Sequence, residues 1–166
     1  MRKYLFLLGI LIVSVPGLTQ ADTIQPPHKK FPFFPPVKLL LPDSVTSFTK
    51  EDLPNKKGIL LMVFSPMCEH CQHETEELLK NIDRFHNVNI IMASPSPFDS
   101  MMKFRNRYGL AQYGNIIMGH DTQFFLPAYY DIHNLPFLAF YDKKRKLISV
   151  FEGNMSMDKV LEELNK

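Results

Sequence analysis

Residues 59 to 64 read ILLMVF, a continuously apolar run that Ser65-Pro66 stops, and the stretch PMCEHCQHE that follows holds the only two cysteines of the 166-residue chain. A run so short, apolar and β-compatible is what a strand buried on both faces requires. From Cys68 to about Phe85 the period changes. Cys71, Thr75, Leu78, Leu79, Ile82 and Phe85 recur at helical spacing, with Glu76, Glu77, Lys80 and Asp83 on the other side, which predicts an amphipathic helix. The cysteines therefore fall at the carboxyl end of a buried strand and the amino end of its helix. In open α/β sheets, chemistry gathers at that edge.

The rest of the chain extends the same alternation. VKLLL and SVTSF flank Pro42-Asp43 as a short hairpin, VNIIMAS (88 to 94) is a second buried strand, and Ser96-Pro97-Phe98-Asp99 opens a helix with Ser96 as cap and Pro97 in the first turn. That helix should reach Tyr108 and stop near Gly109. NIIMG (115 to 119) is a candidate third strand, and QFFLPAYYDI a short helix or turn. PFLAFYD and LISVFEG form a hairpin across the basic turn Lys143 to Lys146, and Met157, Val160, Leu161 and Leu164 mark one face of a closing helix. The expected fold is α/β, three layers around a central mixed sheet with an N-terminal β-hairpin extension.

Before this domain, expected over 37 to 166, stand two segments of different character. Residues 22 to 36 carry Pro26, Pro27, Pro32, Pro35 and Pro36, a density that favours extended backbone over helix. They read as a linker or surface arm, docked in part through Phe31, Phe33 and Phe34, since three exposed aromatics would be adhesive. Residues 1 to 21 have a basic start, an apolar core and small residues ahead of a cleavage point after Ala21, the three parts of a secretory signal. The alternative is an uncleaved inner-membrane anchor. The expected location is the periplasm, where disulfides persist. The formal charge of +2 comes from Arg2 and Lys3 within that segment, and nothing predicts a basic surface for nucleic acid.

Both thiols in one short stretch admit a redox dithiol, a metal site or a structural staple. One disulfide is too few for a stapled scaffold of this size. At a helix start the unpaired N–H groups stabilise a thiolate, so Cys68 is the expected nucleophile. Cys71 is the deeper, resolving thiol. Between them, a protonated His70 favours the Cys68 thiolate and Glu69 opposes it; their balance sets the direction of electron flow.

PMCEHCQHE after a buried strand, with Leu135-Pro136 opening a later strand, resembles the thioredoxin superfamily. A CxxC followed three residues on by Glu74 is similar to its TlpA-like periplasmic branch, which includes reductases serving cytochrome c maturation. The resemblance covers about residues 37 to 166. It implies that Cys68 and Cys71 form the catalytic disulfide and that Pro136 is the cis-proline packed against it, leaving Leu135 backbone to pair with an extended substrate. Glu74 matches the acidic residue that handles protons near the buried thiol. Met67 stands where the family commonly has tryptophan and joins Leu135 as an expected substrate-binding position. His70 replaces a frequent proline, Met62 a buried aspartate of thioredoxin itself, and Glu76 a proline; these departures leave the potential and the partner open.

The implied activity is a periplasmic protein-disulfide oxidoreductase that reduces exported proteins and uses no cofactor beyond its own redox-active disulfide. A membrane or periplasmic thiol-disulfide electron-transfer protein would recharge it, because that compartment has no glutathione-type buffer. A disulfide-donating oxidase of the same fold is the alternative. A zinc or copper site at Cys68, His70, Cys71 and His73 has suitable ligand types, but the two histidines need not share the cysteines' face, and no metal is expected. Peroxidase activity would call for threonine where the chain has Ser65. His28, His86, His120 and His133 read as surface or satisfied core histidines, and the methionines as core fillers.

Overall fold

The computed structural model describes residues 25–54 and 56–166; the expected signal segment, residues 1 to 21, lies outside them. Its frame is a seven-stranded mixed sheet in the order β2-β1-β5-β4-β3-β6-β7. The strands are β1 (Leu39–Leu40), β2 (Ser47–Phe48), β3 (Gly58–Val63), β4 (Val88–Ser94), β5 (Ile116–His120), β6 (Phe137–Tyr141) and β7 (Leu147–Glu152). β3 pairs parallel with β4 and antiparallel with β6, and every one of its residues is buried. That double burial explains why ILLMVF shows no alternation. Leu60, Met62 and Phe64 enter one core, Ile59, Leu61 and Val63 the other.

The first core is closed by α2 (Glu69–Lys80), α3 (Phe98–Arg107) and α5 (Met157–Leu164), which supply Cys71, Leu78, Met101, Phe104, Met157 and Val160. The second lies under α4 (Phe125–Tyr130), the hairpin and the arm, with Leu126, Tyr130, Phe48 and Phe34 inside. Sheet and flanking helices thus make the three expected layers. The N-terminal hairpin joins the sheet because β1 also pairs antiparallel with β5, Leu40 opposite His120. Gly119 makes this approach possible: a Cβ there would stand 2.6 Å from Leu39 Cβ.

Local details differ from the sequence reading. The proline-rich arm holds one helical turn, α1 (Pro27–Lys30), entered through proline fixed at a helix-compatible φ. In the arm Phe34 and His28 are buried, and Phe31 and Phe33 are exposed. The helix after the cysteines ends at Lys80 rather than Phe85. The Asn81 amide bonds back to the Glu77 carbonyl, and a separate 3₁₀ turn, Ile82–Phe85, carries the apolar spacing onward. Pro97 occupies the N-cap position of α3, without a side-chain capping bond, instead of entering its first turn, and Ser96 lies one residue ahead of it with its N–H donating to Ser94 Oγ at 3.2 Å. The closing helix and the β6–β7 hairpin form as expected. No helix among the described residues is long and apolar enough to cross a membrane.

Candidate active site

Cys68 is not in the first helical turn but one position ahead of it, as the N-cap of α2, with extended backbone at φ −82° and ψ 117°. An N-cap side chain accepts an N–H that has no partner within the helix. Here the acceptor is sulfur: the Cys71 N–H donates to Cys68 Sγ at 3.4 Å. Both cysteines are free thiols, Cys68 half-buried and Cys71 fully buried. Burial, together with the hydrogen bond to Cys68, pushes the Cys71 thiol far above its usual range. Met67, by contrast, is 81% exposed beside them.

The opposite wall is the start of β6. The Leu135–Pro136 bond is cis, Pro136 is buried, and the Leu135 carbonyl lies 3.7 Å from Cys68 Sγ. Two segments far apart in sequence, one leaving β3 and one entering β6, meet here because those strands are neighbours, Val63 opposite Phe137.

Glu74 projects from the buried face of α2, one turn beyond Cys71, and is only 3% exposed. Burial raises its carboxyl above the ordinary carboxylate value, although hydrogen bonds from Asn154 and Met155 pull the other way. Asn154 Nδ2 reaches Glu74 Oε2 at 2.9 Å and the His70 carbonyl at 2.7 Å, and the Met155 N–H reaches the same carboxylate oxygen at 3.1 Å. A groove of about 610 Å³ opens beside it, lined by His73, Glu77, Arg84 and Asp158 among others. A buried acid therefore lies on the same helix face as the enclosed thiol and lines a groove open to solvent.

Glu69, His70 and His73 are exposed. Among the described residues no three His, Cys, Asp or Glu side chains converge as metal ligands. Sequence reading missed Asn154 and Glu152. The latter accepts the backbone N–H groups of His133 and Asn134, both at 2.9 Å. No local pattern marks either residue, since each acts on partners distant in sequence, Asn154 on α2 and Glu152 on the loop before β6.

Solved structures share the chain's fold at low identity. The MTB protein dsbF superposes with a TM-score of 0.66 at 21% identity, over 78% of this chain and 93% of that one. A secreted Mycobacterium tuberculosis disulfide oxidoreductase, homologous to E. coli DsbE, gives 0.65 at 18%, over 78% and 95%. A peroxiredoxin-like protein from Aquifex aeolicus gives 0.63 at 13%, over 80% and 84%. The fold is thioredoxin-like. No curated protein matches the chain by sequence. A family model does, over residues 33–160, which takes in both walls of the cleft and all seven strands; the chain belongs to the AhpC/TSA family.

Proposed function

We propose that the protein is a periplasmic thiol-disulfide oxidoreductase that reduces disulfides of exported proteins, with Cys68 as nucleophile and Cys71 as resolving thiol. One observation carries the reading: an accessible sulfur at a helix N-cap, hydrogen-bonded by the N–H of a fully buried second cysteine. The secreted disulfide oxidoreductase among the structural neighbours supports both the chemistry and the export.

In the first step the Cys68 thiolate attacks one sulfur of a client disulfide. That S–S bond breaks, its electron pair leaves on the client's other sulfur, which takes up a proton, and a mixed disulfide with Cys68 remains. Met67 offers an apolar contact for the client, and the Leu135 backbone pairs with its extended chain. In the second step Cys71 must lose a proton that burial makes it hold tightly. Glu74 accepts it, its raised pKa placing its proton affinity nearer to neutrality than that of a surface carboxylate. The Cys71 thiolate then attacks Cys68 Sγ, the client leaves as a dithiol, and the Cys68–Cys71 disulfide is the oxidised product. A dithiol protein of the membrane or periplasm returns the two electrons. The cycle uses no cofactor besides the dithiol.

The test is the reduction potential of residues 22 to 166 in a redox buffer. A value near or below the ~−270 mV of thioredoxin supports a reductase, and one near the ~−120 mV of DsbA means that the protein donates disulfides instead. The peroxiredoxin-like neighbour favours one second reading, in which Cys68 attacks a peroxide oxygen to give a sulfenic acid and water, and Cys71 condenses with it. Consumption of hydrogen peroxide by the reduced protein faster than its exchange with disulfide peptides would replace the first reading by the second.

A further inference from the structure

We infer that Glu152 is the positioning residue that presents the Leu135 backbone to an extended client; this rests on the oxidoreductase reading above. Glu152 ends β7, opposite Phe137 in register. Its Oε1 accepts the His133 N–H at 2.9 Å, and its Oε2 accepts the Asn134 N–H and an Asn134 Nδ2 hydrogen, each at 2.9 Å. The next residue, Gly153, turns out of the strand at φ +99° and donates its N–H to the Pro136 carbonyl at 2.8 Å. Leu135 is thus clasped from both sides, the residues before it by Glu152 and the one after it by Gly153.

No apolar contact does this work at the loop itself. Ile132 and Leu135 pack against the cores, but His133 and Asn134 between them are exposed and belong to neither cluster. Backbone donors aimed at an ionised carboxylate make strong, directional hydrogen bonds. Burial pushes the Glu152 carboxyl up, yet the bonds from His133 and Asn134 outweigh it and hold the group below its usual value. The clasp is therefore charged at neutral pH. Strand-like pairing needs the Leu135 N–H and carbonyl in one orientation, and a loop free to rotate must be ordered at each encounter. A small disulfide that needs only Cys68 Sγ escapes that cost.

The experiment compares reduced wild type, Glu152→Ala and Glu152→Gln in exchange with a disulfide-bonded extended peptide and with cystamine, with far-ultraviolet circular dichroism to check folding. The expected result is a peptide-to-cystamine rate ratio about tenfold lower in Glu152→Ala, carried mainly by KM, and a smaller loss in Glu152→Gln, which keeps one acceptor oxygen. If Glu152→Ala does not fold, Glu152→Gln carries the comparison, with a ratio about threefold lower. An unchanged ratio, or equal losses with both substrates, overturns the inference while leaving the oxidoreductase reading in place. A wild-type protein that exchanges with neither substrate overturns that reading and the inference with it.

Discussion

The side-chain amide of Asn154 joins the Glu74 carboxylate, at 2.9 Å, to the His70 carbonyl in the first turn of α2, at 2.7 Å. The turn after β7 therefore fixes the acid relative to the dithiol segment. Replacing Asn154 by alanine removes a bond that favours the charged carboxylate and leaves only the Met155 N–H on that oxygen. The Glu74 pKa should move further up, because the lost bond favoured the charged form. The pH dependence of the Cys71 attack step in stopped-flow exchange reads it; an inflection that stays in place would show that Asn154 does not tune the acid.

Glu74 also makes folding stability depend on pH in a stated direction. Its folded pKa lies above the unfolded value, so the stability it contributes is fully present below the unfolded pKa and is lost as pH rises through the folded one. Glu74→Gln lacks this dependence while keeping an acceptor for Asn154. Urea denaturation at several pH values should show wild type losing ground to Glu74→Gln across that interval, and parallel curves would contradict the assignment.

The two cysteines should fail differently. Cys68→Ser removes the accessible sulfur and should abolish exchange with peptide disulfides. Cys71→Ser keeps the attacking group but removes the resolving one, so mixed disulfides with clients should accumulate. Non-reducing gels and mass spectrometry of the trapped species check both, and a Cys68→Ser protein that still exchanges would assign attack to Cys71.

Gly119 tests how the hairpin is held. A methyl group there meets Leu39 Cβ at 2.6 Å, so β1 must shift away from β5. Gly119→Ala should cost about 1–3 kcal/mol in chemical denaturation, the usual range for overpacking. Exchange chemistry, at the far side of β4 and β3, should be nearly unaffected.

Much of this was legible before any coordinates, for identifiable reasons. ILLMVF announced a central strand because burial on both faces leaves it no polar position, VNIIMAS did so despite Asn89 and Ser94, and the CEHC stretch placed both cysteines at a strand-helix junction. The end of α2 was misread because Ile82 and Phe85 keep helical spacing through a 3₁₀ turn, so periodicity alone does not record the break at Asn81. Ser96 matched a capping pattern, but α3 starts one residue later, with Pro97 at the N-cap and no side-chain capping bond. Asn154 and Glu152 were invisible because their meaning depends on tertiary contacts: each looks like an ordinary polar residue at a strand end until β7 lies beside β6 and the turn after it meets α2.

The central place of β3 also divides the cleft by timescale. Its amides are locked between β4 and β6, in a strand buried from Gly58 to Val63, so they should exchange with deuterium only through global unfolding. The exposed amides of His133 and Asn134 rest on one carboxylate and should exchange through local opening at far lower free energy. A client would then enter against one wall that yields only with the whole protein and another that loosens by itself.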